Sequence, residues 1–310
     1  MGVDVTVIFV SDYKAGDEKS WEDMRKALRA LAKQDFTGTF EVLLIEEERF
    51  IELIPSDLLS ILPQLRVLTA SETNSYTLAN RGVSEADSEF VILLDADCVP
   101  ESQWMSSCVR ALQADKTIGV VSGKTRYPGR TLTERCLALL SRSYVDPGQR
   151  GPTRHISNNN AGFRRKAFVE HPLPANSGVY ASRLQAVSLE QDHWRMIFEP
   201  NMVVEHDFEG WSMERDIRRH MAHNLVSIRR KDPSLPYAWV VRMGPLSLPL
   251  YVAGRLLQQW RKCLTAYSGF DVRPWQLPYA MVLAVGTSLL EIPGALRALR
   301  GQSVGDTAYR

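Results

Sequence analysis

Short apolar runs that end in polar or acidic residues recur through the first hundred residues of the chain. Their Val, Ile and Leu content is typical of strands buried on both faces of a parallel sheet. Between these runs, apolar residues spaced three and four apart predict amphipathic helices. Such an alternation predicts an α/β protein with an open, mainly parallel sheet flanked by helices. The predicted strands are VDVTVIFVSD, FEVLLIEEE, LRVLTA and EFVILLDAD.

The alternation continues beyond the fourth predicted strand. A further strand is predicted at IGVVSGKTRY, and WRMIFEPNMVVEHDF is predicted to form two short strands that break at Pro200. The helices are predicted at SWEDMRKALRALAK, SYTLANRGVSEAD, ESQWMSSCVRALQAD and LTERCLALLSRSY.

From Trp211 onward the pattern changes to a helix with one apolar face and many arginines, followed by two segments without charge, residues 243–254 and 277–290. Each segment is too short to cross a bilayer, which takes about 20 apolar residues. Trp, Tyr and Arg border both segments, as in helices that lie in a membrane interface. The alternative is a pair of core helices that pack against the sheet. We predict a first domain over residues 1–210 and a helical, amphipathic C-terminal region over residues 211–310.

Composition and charge narrow the class of protein. The chain has 310 residues and a formal net charge of +1, so it has neither the basic field of a nucleic-acid-binding protein nor an acidic tail. The start MGVDVTVIFVSD lacks the basic segment and cleavage site of a signal peptide. Cys98, Cys108, Cys136 and Cys263 have no paired spacing, which favours free thiols in a reducing compartment. We therefore expect a cytoplasmic protein without a nucleic-acid partner.

Polar side chains collect where three of the predicted strands end. In open α/β sheets, ligands bind outside the carboxyl ends of the strands. One polar strand end is routine, but three at one edge indicate a binding site. These ends carry Ser11-Asp12, Glu46-Glu47-Glu48 and Asp95-Ala96-Asp97.

The pair Asp95 and Asp97 is the strongest chemical signal. Carboxylates two apart on an extended segment point to the same face, so both can approach one cation. Mg²⁺ and Mn²⁺ take oxygen ligands, usually one or two carboxylates together with substrate phosphates. His206 ends another apolar run, where a neutral imidazole could complete the metal shell. We expect bound Mn²⁺ or Mg²⁺ and a nucleoside diphosphate as its partner.

Several segments, taken in order, resemble the nucleotide-sugar glycosyltransferases of the GT-A fold, and most of all family two. The resemblance extends from residue 3 to about residue 230. It implies a mixed, mainly parallel sheet and the transfer of a sugar from a nucleoside-diphosphate sugar to a carbohydrate or lipid-linked acceptor. A membrane surface is a further expected partner, at the inner face of the cell membrane. The segments are VTVIFVSD, FEVLLIEEE, ANRGVSEADSEFVILLDADCVP, NNNAGFRRKAF and IFEPNMVVEH.

The resemblance also implies roles for individual residues. Asp97 is implied as the principal metal ligand, Asp95 as a residue near the ribose and the metal, and His206 as a further metal ligand. Glu46 is implied to face the nucleobase. The remaining residues implied to lie near the nucleotide are Ser11, Asn80 and Arg81.

The general base is where the sequence departs from the family. Family-two enzymes that invert usually carry an acidic pair, but aligning Arg183-Leu184 places Asn176-Ser177 at that position. Three alternatives stay open. Glu190 or Asp192 supplies the base, or the reaction retains configuration, or the chain is a catalytically weak or inactive scaffold for glycan assembly.

The arginines after Trp211 leave a further choice open. Arg218 or Arg219 could hold a pyrophosphate, or both could belong to a solvated or lipid-facing basic surface.

Overall fold

A nine-stranded mixed sheet forms the centre of the protein. The structure, a computed structural model, describes residues 2–10, 18–72, 74–175, 177–208 and 210–304. The strands are β1 Val5–Val10, β2 Phe40–Glu47, β3 Leu65–Ala70, β4 Phe90–Asp95, β5 Cys98–Pro100, β6 Ile118–Arg126, β7 Gly151–Pro152, β8 Asn160–Arg164 and β9 Arg195–His206.

The strand order places the ends of most strands at one edge. The order is β3-β2-β1-β4-β8-β6-β9-β5, with β7 paired to β9. β1 to β4 pair in parallel, and β8 is antiparallel to both of its neighbours, β4 and β6. Because β9 is parallel to β6, it runs in the same direction as β4. The edge at which β1, β2, β4, β6 and β9 all end is called the carboxyl edge below.

Helices cover both faces of the sheet. The helices of the described residues are α1 Glu18–Leu31, α2 Asp57–Ile61, α3 Ser75–Glu85, α4 Trp104–Gln113, α5 Leu132–Arg142, α6 Arg165–Glu170, α7 Ala181–Gln191, α8 Trp211–Lys231, α9 Ala238–Arg242, α10 Leu248–Ala266, α11 Leu277–Leu290 and α12 Ile292–Leu299.

Alternation along the strands explains the two layers of helices. In β1, Val7 and Phe9 join a core with α1, α2 and α4, whereas Ile8 and Val10 join a core with α3, α6 and α7. Successive side chains of a strand point to opposite faces, so strands buried on both sides are apolar at every position. The predicted α/β fold with an open, mainly parallel sheet is confirmed.

The prediction of two short strands around Pro200 is wrong, because β9 is one strand of 12 residues. Its pairing with β6 skips three residues, from Gly123 opposite Glu199 to Lys124 opposite Val203. The Asn160 side chain donates from Nδ2 to the carbonyls of Lys124 and Met202, at 2.9 and 3.0 Å. These bonds replace ladder hydrogen bonds that the bulge removes, so the strand continues past the proline.

The C-terminal helices pack on α5 and on each other. Side chains of α5, α10 and α11 share a core cluster that includes Cys136, Leu140, Cys263 and Ala284. The face of each helix turned towards this cluster is therefore core, but among the described residues these helices pack on α5 and not directly against the sheet as the core alternative expected. Whether residues 1–210 and 211–310 are separate domains stays a prediction.

A buried ion cluster ties α8, α10 and the residue between α11 and α12 together. Glu291 is fully buried and accepts two hydrogen bonds of 2.7 Å from the Arg255 guanidinium and one of 3.2 Å from the Tyr251 hydroxyl. Arg218 lies 3.8 Å from the same carboxylate and forms a 2.6 Å pair with Glu214. Burial of these charges is compensated because the carboxylates face guanidinium groups.

One helical stretch of the described residues, Pro274–Leu299, is long and apolar enough to cross a membrane by length and composition. It has 26 residues and a mean hydropathy of 1.5 over its most apolar window, of which 39% is buried within the protein. The segment at residues 277–290 is α11 itself, with 14 residues, and the stretch reaches 26 residues only together with the residues on either side of it, α12 among them.

Candidate active site

Asp97, Cys98 and His206 meet at the carboxyl edge and are called the metal corner below. Asp97 follows β4, while Cys98 in β5 pairs with His206 at the end of β9. His206 Nε2 lies 3.2 Å from Asp97 Oδ2, and the ligand atoms of all three residues lie within 4.8 Å of one another. The structure thus brings together the strand-end aspartate and histidine that the sequence predicts as ligands.

The electrostatics of the metal corner favour a cation between Asp97 and His206. Burial opposes ionisation of Asp97, but the charge of His206 and its hydrogen bond outweigh burial and hold the pKa of Asp97 below its usual value. Burial alone would lower the pKa of His206. The Asp97 carboxylate has the larger opposite effect and raises this pKa to well above its ordinary value. These directions favour an Asp97 carboxylate beside a protonated His206, and a divalent cation binding between them would displace the His206 proton.

Two further contacts show that these residues fit a hard cation. Asp97 Oδ1 is buried and has no hydrogen-bond partner among the described residues. The Nδ1 atom of His206 lies 2.7 Å from the carbonyl oxygen of Asp207, so Nδ1 donates, and Nε2 would present its lone pair to a cation once its own proton is released. One carboxylate and one imidazole, completed by phosphate oxygens, form a donor set suited to Mn²⁺ or Mg²⁺.

Cys98 is a poor ligand despite its position. Burial, together with the charges of Asp97 and Asp95, raises the pKa of its thiol well above the usual range. A protonated thiol does not ligate metals, and hard cations prefer oxygen. Its sulfur instead accepts a 3.5 Å hydrogen bond from Asn159 Nδ2.

Asp95 lies beside the metal corner but on another surface. Its carboxylate is not among the ligand atoms that cluster at Asp97. It lines a cavity of about 20 Å³ together with Ser75 and Tyr76, the first residues of α3. That both aspartates approach one ion stays a prediction, and so does a role for Asp95 near the ribose.

Glu46 is the last residue but one of β2 and lies at the carboxyl edge, and its role beside a nucleobase stays a prediction. Its side chain is 1% exposed, and Oε1 accepts a 2.8 Å hydrogen bond from the Glu47 amide. The neighbouring Glu47 pairs with Arg49 at 2.6 Å. Ser11, the other strand-end residue of this set, lies outside the described residues.

Asn80 and Arg81 make other contacts than the nucleotide contacts implied for them. The Asn80 amide forms two hydrogen bonds with the Leu173 backbone, of 2.8 and 3.0 Å, and so holds the loop after α6 against α3. Arg81 forms a surface pair with Glu85 at 2.9 Å, which directs it towards the end of α3 away from the carboxyl edge.

The two candidate bases lie at the opposite edge of the sheet. Glu190 and Asp192 precede β9, whereas His206 ends it, and the length of β6 beside it, from Ile118 to Arg126, is about 26 Å. Glu190 lies 3.5 Å from Arg154, and Asp192 lies 3.2 Å from His171. The structure does not bring them together with the metal corner. Asn176 lies outside the described residues.

Arg218 and Arg219 are engaged within the C-terminal helices. Arg218 is 2% exposed and belongs to the buried ion cluster around Glu291. Arg219 donates to the Val304 carbonyl at 2.6 Å. Neither alternative foreseen for Arg218, a pyrophosphate ligand or a solvated surface residue, fits its burial.

Sequence reasoning misses three residues beside the metal corner. The Tyr127 ring lies 5.3 Å from the His206 ring, and Tyr127 accepts a 3.1 Å hydrogen bond from Arg142. Asn159 links Arg142 to Cys98. Tyr127 was detectable, because it follows the end of β6 at the carboxyl edge. Arg142 ends a helix, and nothing in the spacing of residues signals its position.

A sheet of this order, with an aspartate and a histidine meeting at its carboxyl edge, defines a glycosyltransferase of the GT-A class. The model of the family "Glycosyl transferase family 2" matches residues 16–171, half of the chain. The chain belongs to this family.

Solved structures and a curated relative agree with this class. The mannosyltransferase PcManGT from Pyrobaculum calidifontis, solved with GDP-Man and Mn²⁺, is 18% identical, with a TM-score of 0.63 over 98% of this chain and 89% of its own. S. aureus TarS 1-349, solved with UDP-GlcNAc, is 14% identical, with a TM-score of 0.52 over 97% and 93%.

The curated relative is the glucans biosynthesis glucosyltransferase H of Klebsiella pneumoniae, which is 32% identical over 107 residues. The match covers 31% of this chain and 13% of that protein.

Proposed function

We propose that the protein transfers a sugar from a nucleoside-diphosphate sugar to a carbohydrate or lipid-linked acceptor, with Mn²⁺ or Mg²⁺ held by Asp97 and His206. The observation that carries the proposal is the meeting of these two side chains, 3.2 Å apart, at the carboxyl edge. The nucleotide sugars in the solved structures of PcManGT and TarS support this class of donor. The curated relative supports a glucan as the acceptor.

Each strand end contributes a part of the donor site. Asp97 and His206 would hold the cation, which when bound neutralises the diphosphate and makes it a better leaving group. Asp95, beside the first turn of α3, would contact the ribose. Glu46 would accept hydrogen bonds from the nucleobase at the end of β2. The burial of these carboxylates excludes water and so strengthens their interactions with the donor.

The test replaces Asp97 by Asn, which keeps the shape of the side chain and removes its charge. We expect Mn²⁺-dependent binding of UDP or GDP to weaken by about a hundredfold or more. The variant would lose its contact with the cation, and with it the contact between the cation and the diphosphate. Calorimetric titration with each nucleotide, with and without Mn²⁺, measures the binding. Sugar transfer and hydrolysis of UDP- and GDP-sugars should fall to background in the same variant.

Glu190→Gln is the matched control, because it removes another carboxylate from the opposite edge of the sheet. We expect it to keep wild-type binding and activity. Unchanged binding in Asp97→Asn would refute the metal assignment. If the wild-type chain binds no nucleotide at all, the alternative of a scaffold in glycan assembly is favoured.

We further propose that the protein works at the inner face of the cell membrane, bound peripherally through α10 and α11. The outward positions of α10 include Leu250, Leu257 and Leu264, and those of α11 include Val282 and Leu289, all more than half exposed. Exposed apolar residues in such number mark an interaction surface.

The charges around this surface fit an anionic lipid headgroup region. In the described residues 238–304, the exposed charged side chains are five arginines and one aspartate. When exposed apolar side chains insert into a membrane, basic side chains beside them favour the anionic cytoplasmic leaflet. The residues are Arg242, Arg261, Arg273, Arg297, Arg300 and Asp271.

A further inference from the structure

Arg142, the last residue of α5, is a partly buried arginine without a carboxylate partner among the described residues. Its neighbour at the carboxyl edge, Arg126, pairs with both Glu101 and Glu205. Arg142 instead contacts neutral groups. Its guanidinium therefore carries a positive charge that no carboxylate of the described residues contacts directly.

Two hydrogen bonds hold the Arg142 guanidinium next to the metal corner. Nε donates to the Tyr127 hydroxyl at 3.1 Å, and Nη1 lies 3.4 Å from Asn159 Oδ1. Tyr127 in turn packs its ring 5.3 Å from the ring of His206, and Asn159 contacts Cys98. Both partners of the guanidinium thus touch a residue of the metal corner.

The helix that carries Arg142 is fixed from the other side. Lys262 of α10 donates from Nζ to the carbonyl of Leu140 at 2.6 Å, and Tyr279 of α11 shares a hydrogen bond with Thr133. Leu139 and Leu140 are fully buried in the core between α5, α10 and α11. The guanidinium is consequently preorganised rather than free to follow a ligand.

A partly buried cation with only neutral partners calls for an anion, because removing a charge from water costs free energy unless an opposite charge faces it. The ligand that the proposed function brings to this edge carries a diphosphate. A guanidinium matches two phosphate oxygens at once, and a diphosphate has more oxygens than a single cation would bind.

We infer that Arg142 binds the diphosphate of the donor beside the metal corner, and that Tyr127 positions Arg142 for this contact. The inference rests on the proposed function, since it requires a nucleoside diphosphate at this edge. The diphosphate is the leaving group of sugar transfer, so the inference gives a residue outside the strand-end motifs a role in binding the leaving group.

The experiment compares two ligands in Arg142→Gln, each titrated calorimetrically in Mn²⁺. One ligand is the nucleoside diphosphate that the wild-type protein binds, and the other is the corresponding nucleoside, which lacks phosphate. We expect the variant to lose about tenfold to a hundredfold in affinity for the diphosphate, the size of a lost charge-assisted contact. Affinity for the nucleoside should stay within twofold of wild type, roughly the error of such a comparison.

Two further variants separate binding from positioning. Arg142→Lys keeps the charge and loses the paired donors, so its loss for the diphosphate should be smaller than that of Arg142→Gln. Tyr127→Phe removes the hydroxyl that accepts from Arg142 and should lower the diphosphate-to-nucleoside affinity ratio, whereas a purely structural residue would leave this ratio unchanged. Arg135→Gln, two turns earlier on α5, is the matched control and should bind both ligands as wild type does.

The outcomes distinguish this inference from the proposed function. Wild-type diphosphate affinity in a folded Arg142→Gln protein, together with the expected loss in Asp97→Asn, would overturn the role of Arg142 alone. An equal loss for nucleoside and diphosphate would also overturn it, because the residue would then act on the whole site. Failure of the wild-type protein to bind any nucleoside diphosphate would overturn both.

Discussion

Asn158 and Asn160 are two residues apart in one tripeptide, yet their side chains make very different contacts. Asn160 is fully buried, donates to two carbonyls across the β9 bulge and accepts a 2.8 Å hydrogen bond from the Trp104 indole. Asn158 Oδ1 is buried without a hydrogen-bond partner in the described part of the chain. The stability of the sheet at the bulge therefore depends on one amide.

Asn160→Ala should lower the free energy of unfolding by about 2–5 kcal/mol, because it leaves two carbonyls and an indole N–H buried and unpaired. Asn158→Ala, the matched control, loses no hydrogen bond at Oδ1 and should stay within about 1 kcal/mol of wild type. Urea denaturation followed by far-UV circular dichroism measures both. Equal destabilisation by the two variants would contradict the role given to Asn160.

Strand-end residues were predictable from sequence, and residues brought in by helices were not. Asp97 and His206 end apolar runs, so the rule for parallel sheets places both at one edge. The side-chain partners of Asn80 and Arg81 depend on the loop after α6 and on helix direction, which the pattern does not encode. Arg142 reaches the metal corner only because α5 packs under α10 and α11, a tertiary contact between segments over a hundred residues apart.

Helices α8 and α12 approach so closely that a glycine is required between them. A Cβ atom on Gly294 of α12 would overlap the backbone carbonyl of Arg219 in α8. Gly286 of α11 has no neighbour within 4 Å of a Cβ atom. The same substitution thus has opposite consequences on two consecutive helices.

Gly294→Ala should destabilise the protein by about 1–3 kcal/mol, because α12 must move away from α8. Gly286→Ala, on an exposed helix face, should stabilise it by up to about 1 kcal/mol, since alanine has the higher helix propensity. Thermal unfolding measured by calorimetry gives the two signs. A neutral Gly294→Ala would show that α8 and α12 are not packed at this distance.

The elements themselves follow the hydrophobic pattern closely, with β9 as the instructive exception. Four parallel strands and the helices between them are where the periodicity predicts. Pro200 indicates a break when the segment is considered alone, but the Asn160 side chain, forty residues earlier, supplies the missing hydrogen bonds. A local rule fails here because a distant side chain satisfies the backbone.

The outer faces of α10 and α11 give the whole molecule one strongly apolar side. Val282 and Leu257 are 70% and 64% exposed there, whereas Val169 of α6 is 52% exposed on another part of the surface. If this side binds lipid, acidic substitutions on it should weaken membrane binding, whereas an acidic substitution elsewhere on the surface should not. All three side chains are more than half exposed in the protein alone.

The double variant Leu257→Glu and Val282→Glu should bind vesicles of phosphatidylcholine and phosphatidylglycerol at least about tenfold less tightly than wild type, because buried apolar area is lost and like charges repel. Co-sedimentation at low and high salt measures the binding. Val169→Glu is the control and should bind as wild type does. Wild-type sedimentation of the double variant would exclude this face as the lipid contact.

Helix α5 packs against α10 and α11 and also carries Arg142 to the metal corner, which matters for anyone who recombines or shortens this protein. A fragment cut at residue 210 would keep every strand, but it would expose the apolar side of α5 and remove the hydrogen bond from Lys262 to the Leu140 carbonyl. Such a fragment should aggregate readily, and Arg142 should be held less firmly beside the metal corner. Chimeras in this family should therefore exchange α5 together with the helices that follow α8, because these helices share one core.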